Sequence, residues 1–144
     1  MPPQKIAIIG ATSAMAEHCA RLWLAQQPTA ELILVGRDLP RTQRVAADLQ
    51  VRSPQAHIHV VQASFSDPTA IEKVVADLCA SGPPDIALIA HGALPEQAQC
   101  QNDLQACREA LNINGISPVL YAEAFAKHMA QAQHGTIALI GSVA

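Results

Sequence analysis

The chain has 144 residues, of which 50% are hydrophobic, 15% charged and 3% aromatic, and its formal net charge is −3. This length suits one domain, and the rarity of aromatic rings and of Lys or Arg runs argues against a nucleic-acid surface. No apolar stretch is long enough to span a bilayer, and the N-terminus lacks the pattern of a signal peptide, so we expect no membrane partner.

The chain opens on a strand, a glycine turn and a capped helix. The isoleucine-rich residues 6–9 predict a buried strand that ends at Gly10, and Thr12 and Ser13 offer N-cap oxygens to the next helix. The free N–H groups of such a turn form a cradle for a phosphate, although an ordinary tight turn is the alternative. The expected apolar face of the helix is Met15, Cys19, Leu22 and Trp23.

Four more strands and several helices are predicted in alternation. The strands are residues 32–35, 57–61, 85–90 and 136–140. Asp38 and Asp67 are expected to cap helices, and a polar, glutamine-rich stretch precedes a long helical region from about residue 103 to 133. Within that region Pro118 either kinks the helix or begins a new one. Alternating strands and helices predict a parallel sheet covered by helices on both faces.

Small and polar residues follow the predicted strand ends. They are residues 10–13, Arg37, Ser64, residues 91–92 and Ser142. Since parallel strands end at one edge of the sheet and ligands bind there, we expect these residues to converge on a dinucleotide site.

The cysteine and histidine patterns give no metal or disulfide signature. The four cysteines, Cys19, Cys79, Cys100 and Cys107, show no C-x-x-C spacing, so we interpret them as reduced thiols of a cytoplasmic protein. His57 and His59 alternate on one strand face, but no third ligand accompanies them, so we predict no metal site.

Four motifs in order resemble those of the short-chain dehydrogenase/reductase family. Residues 10–16 are similar to its Gly-x-x-x-Gly-x-Gly turn, with Ala14 and Ala16 at the second and third glycines. Residues 90–93, Ala-His-Gly-Ala, stand where the family has Asn-Asn-Ala-Gly, and residues 112–115 match its Asn-x-x-Gly element. Residues 137–144 match its fifth strand and serine.

The resemblance implies a fold and a set of roles. The fold is a Rossmann-type, doubly wound α/β sheet of order 3-2-1-4-5 in three layers, with residues 1–144 as one C-terminally incomplete dinucleotide-binding domain. The implied activity is hydride transfer between a nicotinamide cofactor and a small-molecule carbonyl or alcohol, with Ser142 and Asn112 as catalytic residues. The implied cofactor-binding residues are Gly10, Thr12, Ser13, Ala14, Met15, Arg37, Ser64, Phe65, Ala90, His91 and Gly92.

Arg37 bears on the choice of cofactor. An arginine after the second strand accepts the 2′-phosphate of NADP(H), whereas an acidic residue there binds the ribose hydroxyls of NAD(H). We favour NADP(H), with Asp38 as the competing signal and a helix cap as its other reading. Ser64 stands where the family has an adenine-binding aspartate, but it is equally well a loop serine, with the Phe65 backbone N–H as the substitute donor.

The family's Tyr-x-x-x-Lys pair does not occur in this sequence. The only tyrosine, Tyr121, has Phe125 four residues later, and we expect it to be a packing residue. We therefore expect a fragment or the first part of a longer enzyme, inactive alone, with a non-catalytic NAD(P)-binding or interaction module as the alternative. A homo-oligomer is expected, and an uncovered face of the fifth strand predicts self-association.

Overall fold

A five-stranded parallel sheet forms the centre of the fold in the computed structural model, which describes residues 2–142. The strands are β1 (Lys5–Ile9), β2 (Glu31–Gly36), β3 (His57–Gln62), β4 (Ile86–Ile89) and β5 (Thr136–Leu139). They lie in the order β3-β2-β1-β4-β5, and every neighbouring pair is parallel. The predicted class and strand order are confirmed.

Helices cover both faces of this sheet. They are α1 (Ala14–Gln26), α2 (Leu39–Arg52), α3 (Pro68–Leu78), α4 (Gln97–Asn102), α5 (Leu104–Leu111) and α6 (Ser117–Ala132). The first three begin after the capping side chains Ser13, Asp38 and Asp67, each of which accepts a hydrogen bond from a backbone N–H two or three residues later. These local signals position the strand-to-helix turns at one edge of the sheet.

The alternation of side chains along the strands divides the core in two. Ala7 and Ile9 of β1 pack with α3 and α6 on one face, whereas Ile6 and Ile8 pack with α1 and α2 on the other. Both faces of β1 are fully buried, which explains its continuous apolar sequence.

The predicted apolar face of α1 is confirmed at Cys19 and Trp23, which pack against the core, and wrong at Met15 and Leu22, which are 59% and 64% exposed. The buried residues of the helix are Ala16, Ala20 and Leu24. Small alanines bring the helix axis close to the sheet, and they carry too little hydrophobicity to stand out beside methionine and leucine in a periodic pattern.

The long helical region divides into three parts. A π-helix, Asn112–Ile116, separates α5 from α6, and the Ser117 N–H donates to the Asn112 carbonyl five residues earlier. Pro118 lies in the first turn of α6, where its missing N–H is tolerated. Both alternatives for Pro118 therefore hold in part. The helix becomes a π-helix just before Pro118, and a new α-helix, α6, begins at the residue before it. The glutamine-rich stretch folds as the short α4.

The four cysteines are unpaired thiols. Within residues 2–142, no cluster of three or more potential metal ligands is found. His59 faces Glu31 at 3.8 Å across the β3–β2 pair and is more than half exposed. No helix in the described part of the chain has the length and hydropathy needed to cross a membrane.

Candidate functional site

A cleft of about 280 Å³ lies at the carboxyl edge of the sheet. All of the predicted cofactor residues line it except Ala14, Met15 and Ser64. The lining residues are Gly10, Thr12, Ser13, Gly36, Arg37, Asp38, Arg41, Phe65, Ala90, His91 and Gly92. Residues from four separate segments thus converge at the predicted edge.

The turn after β1 passes directly against the end of β4. Gly10 has φ +83°, and a Cβ built on it would lie 2.5 Å from the His91 backbone nitrogen. The Gly10 N–H donates to the Val35 carbonyl at 2.8 Å, and the Ala90 N–H donates to the Ile9 carbonyl at 2.8 Å. Glycine is required here for two reasons, the left-handed backbone and the absence of space.

The start of α1 presents unused backbone donors beside this turn. The Ser13 hydroxyl accepts from the Ala16 N–H at 3.5 Å, while no hydrogen bond from the Ala14 or Met15 N–H is found among the described residues. The first N–H groups of a helix lack intrahelical partners and carry the positive end of its dipole. Neither Ala14 nor Met15 lines the cleft, so the feature that they offer to it is this pair of free backbone N–H groups.

Asp38 and Arg37, at the end of β2, have different roles: Asp38 caps a helix, and Arg37 brings positive charge to the cleft. The Asp38 carboxylate accepts from the Arg41 N–H at 3.0 Å, and its carbonyl accepts from the Thr42 hydroxyl at 2.8 Å. Its carboxylate is thus engaged as the N-cap of α2. The Arg37 guanidinium lies over the Phe65 ring at 5.2 Å, and Arg37 and Arg41 both line the cleft, so the two cations outnumber the single carboxylate.

Ser64 holds its own loop together. Its hydroxyl accepts hydrogen bonds from the N–H groups of Ser66 and Asp67 at 3.2 and 3.1 Å. Its carbonyl accepts from the Tyr121 hydroxyl at 2.7 Å. The hydroxyl oxygen already accepts from two donors, and Ser64 lines a cavity beside the cleft that it shares with Arg37 and Phe65.

Tyr121 is a buried anchor. Its side chain is fully buried, and burial raises its pKa to about 12. A phenol that is buried and hydrogen-bonded to a backbone carbonyl packs the core rather than exchanging protons with a ligand, as the sequence predicted.

His91 is held by three side chains. Its ring packs on Phe65 with centroids 4.3 Å apart and meets the edge of Tyr121 at 5.5 Å. Its Nε2 lies 2.7 Å from the hydroxyl of the buried Ser117. Burial, with a smaller contribution from the Arg37 charge, lowers its pKa to about 4, so the ring is neutral at pH 7.

Asn114, whose side chain received no role from the sequence, joins the π-helix to the loop after β4. Its Oδ1 accepts from the Ala93 N–H at 2.8 Å, and its Nδ2 donates to the Ala93 carbonyl at 2.8 Å. The side chain of the predicted Asn112 makes no hydrogen bond with the described residues. The sequence feature that points to Asn114 is Pro118. Proline has no N–H, so it cannot donate the α-helical hydrogen bond to the Asn114 carbonyl four residues earlier.

Ser142 follows the end of β5. The Ile140 N–H donates to the Ile89 carbonyl at 3.1 Å, so the ends of β4 and β5 lie side by side and Ser142 emerges at the edge that holds the cleft. Val143 and Ala144, the last residues of the predicted serine motif, lie outside the described residues.

Comparisons with known proteins agree with this architecture. The family model described as short chain dehydrogenase matches residues 4–144. No curated protein sequence matches the chain.

Several solved structures share the fold. A levodione reductase superposes with a TM-score of 0.88 at 21% identity over 97% of this chain. A metagenomic short-chain oxidoreductase in complex with NADP gives 0.85 at 22% identity over 98%. A bulky-bulky ketone specific alcohol dehydrogenase from Comamonas testosteroni gives 0.81 at 26% identity over 99%. The chain spans 54%, 63% and 56% of these three structures, respectively.

We expect Gly10→Ala to lower the free energy of unfolding by about 2 kcal/mol, because an alanine Cβ is strained at positive φ and meets the His91 backbone. Urea denaturation followed by circular dichroism measures this loss. Gly115→Ala is the matched control, since a Cβ there meets no atom within 4 Å. Equal unfolding free energies for the two variants would contradict the close approach of Gly10 to the His91 backbone.

We expect Asn114→Ala to speed amide hydrogen exchange at Ala93 by about 5- to 10-fold, because the Ala93 N–H loses its acceptor, the side-chain Oδ1 of Asn114. Asn112→Ala serves as the control and leaves that exchange rate unchanged. Residue-resolved exchange measured by NMR distinguishes the two asparagines, and a faster Ala93 amide in the Asn112 variant would contradict the assignment.

Proposed function

Since the chain belongs to the short-chain dehydrogenase family, we propose that it carries the cofactor-binding portion of an NADP(H)-dependent oxidoreductase, with residues 1–144 as one dinucleotide-binding domain. The nicotinamide of the bound cofactor would supply or accept the hydride, and the substrate would be a small-molecule carbonyl or alcohol. The observation that carries the proposal is the cleft, which gathers a phosphate cradle and two arginines at one edge of the sheet.

The cradle fits a pyrophosphate. Gly10 lets the turn after β1 close against His91, and the unpartnered Ala14 and Met15 N–H groups lie at the positive end of α1. Backbone donors at a helix N-terminus bind phosphate without a cationic side chain. Thr12 and Ser13 complete this side of the cleft, so the altered glycines at positions 14 and 16 do not remove the donors.

The other side of the cleft fits a 2′-phosphate. Arg37 and Arg41 supply the positive charge, and the one carboxylate beside them, that of Asp38, accepts the capping hydrogen bond of α2. One of the similar structures is a complex with NADP, which supports the same choice here. NADP(H) is therefore preferred to NAD(H).

The catalytic assignments rest on position. Ser142 emerges beside the end of β4, where its hydroxyl can donate to a substrate carbonyl. For the asparagine, the double hydrogen bond to Ala93 and the carbonyl opposite Pro118 favour Asn114 over Asn112. Asn114 would fix the loop beneath the cofactor and offer its carbonyl to water in a proton path.

The proton donor of the family is absent from these 144 residues. No Tyr-x-x-x-Lys pair occurs in the sequence, and Tyr121 is committed to packing. We therefore assign cofactor binding to this chain and expect it to be inactive in hydride transfer by itself. The same absence favours, as the second candidate, a non-catalytic NAD(P)-binding or interaction module. Conversion of any carbonyl substrate by the chain alone would contradict both readings.

The cofactor choice is tested by Arg37→Glu. We expect the NADPH dissociation constant to rise 10- to 100-fold, as a charge-assisted phosphate contact is lost, and the preference to move towards NADH. Isothermal titration calorimetry measures both. Arg44→Glu is the matched control, because Arg44 is an exposed arginine of the following helix α2 and lies outside the cleft lining. Equal NADPH affinity in the wild type and Arg37→Glu would refute the assignment.

We also propose that the chain is cytoplasmic, in keeping with its four unpaired thiols, and that it self-associates. Leu139 of β5 is 55% exposed, and Val119 of α6 is 57% exposed. Apolar side chains exposed on a terminal strand and on a helix are features of contact surfaces. Static light scattering of the purified chain is expected to give at least a dimer mass, lowered by Leu139→Lys, and a monodisperse monomer would contradict this.

A further inference from the structure

The guanidinium of Arg37 rests on one aromatic ring. It lies 5.2 Å from the centre of the Phe65 ring, and within residues 2–142 no ion pair or hydrogen bond of this guanidinium is found. Arg37 is an exposed side chain, and such a side chain loses conformational freedom when it binds a ligand. A cation–π contact that holds the guanidinium in place beforehand lowers that cost, so the Phe65 ring prepares Arg37 for binding.

The segment after β3 that carries this ring is tied to the end of β2. The Ala63 N–H donates to the Gly36 carbonyl at 3.1 Å, and the Gln62 side-chain amide donates to the Arg37 carbonyl at 3.1 Å. The backbone and the side chain of Arg37 therefore both contact residues 62–65. A shift of this segment moves the support on which the guanidinium lies.

Tyr121 of α6 holds the same segment from the core side. Its hydroxyl donates to the carbonyl of Ser64, the residue before Phe65, at 2.7 Å, and no other donor to that carbonyl is found in the described part of the chain. Its ring is fully buried and meets the Phe65 ring edge-on, with centroids 6.2 Å apart. Removal of the hydroxyl alone keeps this ring contact but deprives the Ser64 carbonyl of its donor, which frees the segment to shift.

We propose that Tyr121 is a positioning residue for the recognition of the 2′-phosphate, an inference that rests on the proposed NADP(H) site. Its hydroxyl fixes the backbone at Ser64, this backbone places the Phe65 ring, and the ring holds the guanidinium of Arg37. Tyr121 itself does not touch the ligand, because its side chain is fully buried. The preference for NADP(H) over NAD(H) thus depends on a hydroxyl in the core as well as on the arginine in the cleft.

The test compares NADPH with NADH, which differ only in the 2′-phosphate. A general loosening of the cleft weakens the binding of both and leaves the ratio of their dissociation constants unchanged, whereas a misplaced Arg37 weakens the binding of NADPH alone. For Tyr121→Phe we expect this ratio to move about 3- to 10-fold towards NADH, since one charge-assisted contact is impaired and not abolished. Isothermal titration calorimetry measures both constants, at a temperature where circular dichroism shows each variant to be folded.

Phe125→Leu is the matched control. Phe125 lies one turn after Tyr121 in α6 and is fully buried in the same core cluster, but its side chain has no polar atom that could hold the segment after β3. This variant is expected to lower the free energy of unfolding, because it leaves a gap in the core, and to keep the wild-type ratio of the NADPH and NADH dissociation constants.

Phe65→Leu tests the route from Tyr121 to Arg37. It removes the ring under the guanidinium, so it is expected to move the ratio in the same direction as Tyr121→Phe. In a chain that already carries Phe65→Leu, Tyr121→Phe is expected to move the ratio no further, because both residues act through one contact. Phe65→Leu also keeps the proposal testable if Tyr121→Phe fails to fold.

The outcomes separate this inference from the proposed function. A wild-type chain that prefers NADPH, with the same ratio in Tyr121→Phe or in Phe65→Leu, would overturn the inference and leave the proposed function intact. An equal shift of the ratio in Phe125→Leu, or a full additional shift by Tyr121→Phe in the chain that carries Phe65→Leu, would also overturn it alone. A wild-type chain that binds no NADPH, or binds NADH equally well, would overturn the proposed NADP(H) site and the inference together.

Discussion

The close approach of Gly10 to the His91 backbone is the contact on which the site depends. It brings the turn after β1 against the end of β4, two segments separated by 80 residues of chain, with no room for a side chain between them. Gly10 and His91 both line the cleft, and the turn at Gly10 leads directly into α1. The contact between these two residues therefore positions the cleft, the free N–H donors of α1 and the His91 ring relative to one another. A larger residue at position 10 would separate the two strand ends and open the floor of the cleft.

The chemical character of the cleft depends on how one carboxylate is used. Asp38 caps α2 by accepting from the Arg41 backbone N–H, and Arg37 and Arg41 outnumber this one carboxylate in the cleft. Arg37 in turn lies over Phe65, which stacks on His91. A row of contacts therefore runs from the arginine that would hold a phosphate to the histidine beside α6.

The amino-acid sequence alone determined the class of fold, the strand order through its family resemblance, and most of the edge residues. These follow from short-range physics, since an isoleucine-rich run makes a buried strand, an aspartate before a proline caps a helix, and parallel strands end at one edge. The caps at Asp38 and Asp67 and the position of Arg37 needed no knowledge of distant residues.

Only the tertiary structure decided which of several equivalent local candidates meets a distant segment. It buries the alanines of α1 instead of Met15, occupies the Ser64 hydroxyl with its own loop, and turns Asn114 rather than Asn112 towards Ala93. It also leaves the His91 Nδ1 buried without a partner among the described residues. Each outcome depends on contacts between segments far apart in the chain, and local periodicity and motif spacing carry no information about such contacts.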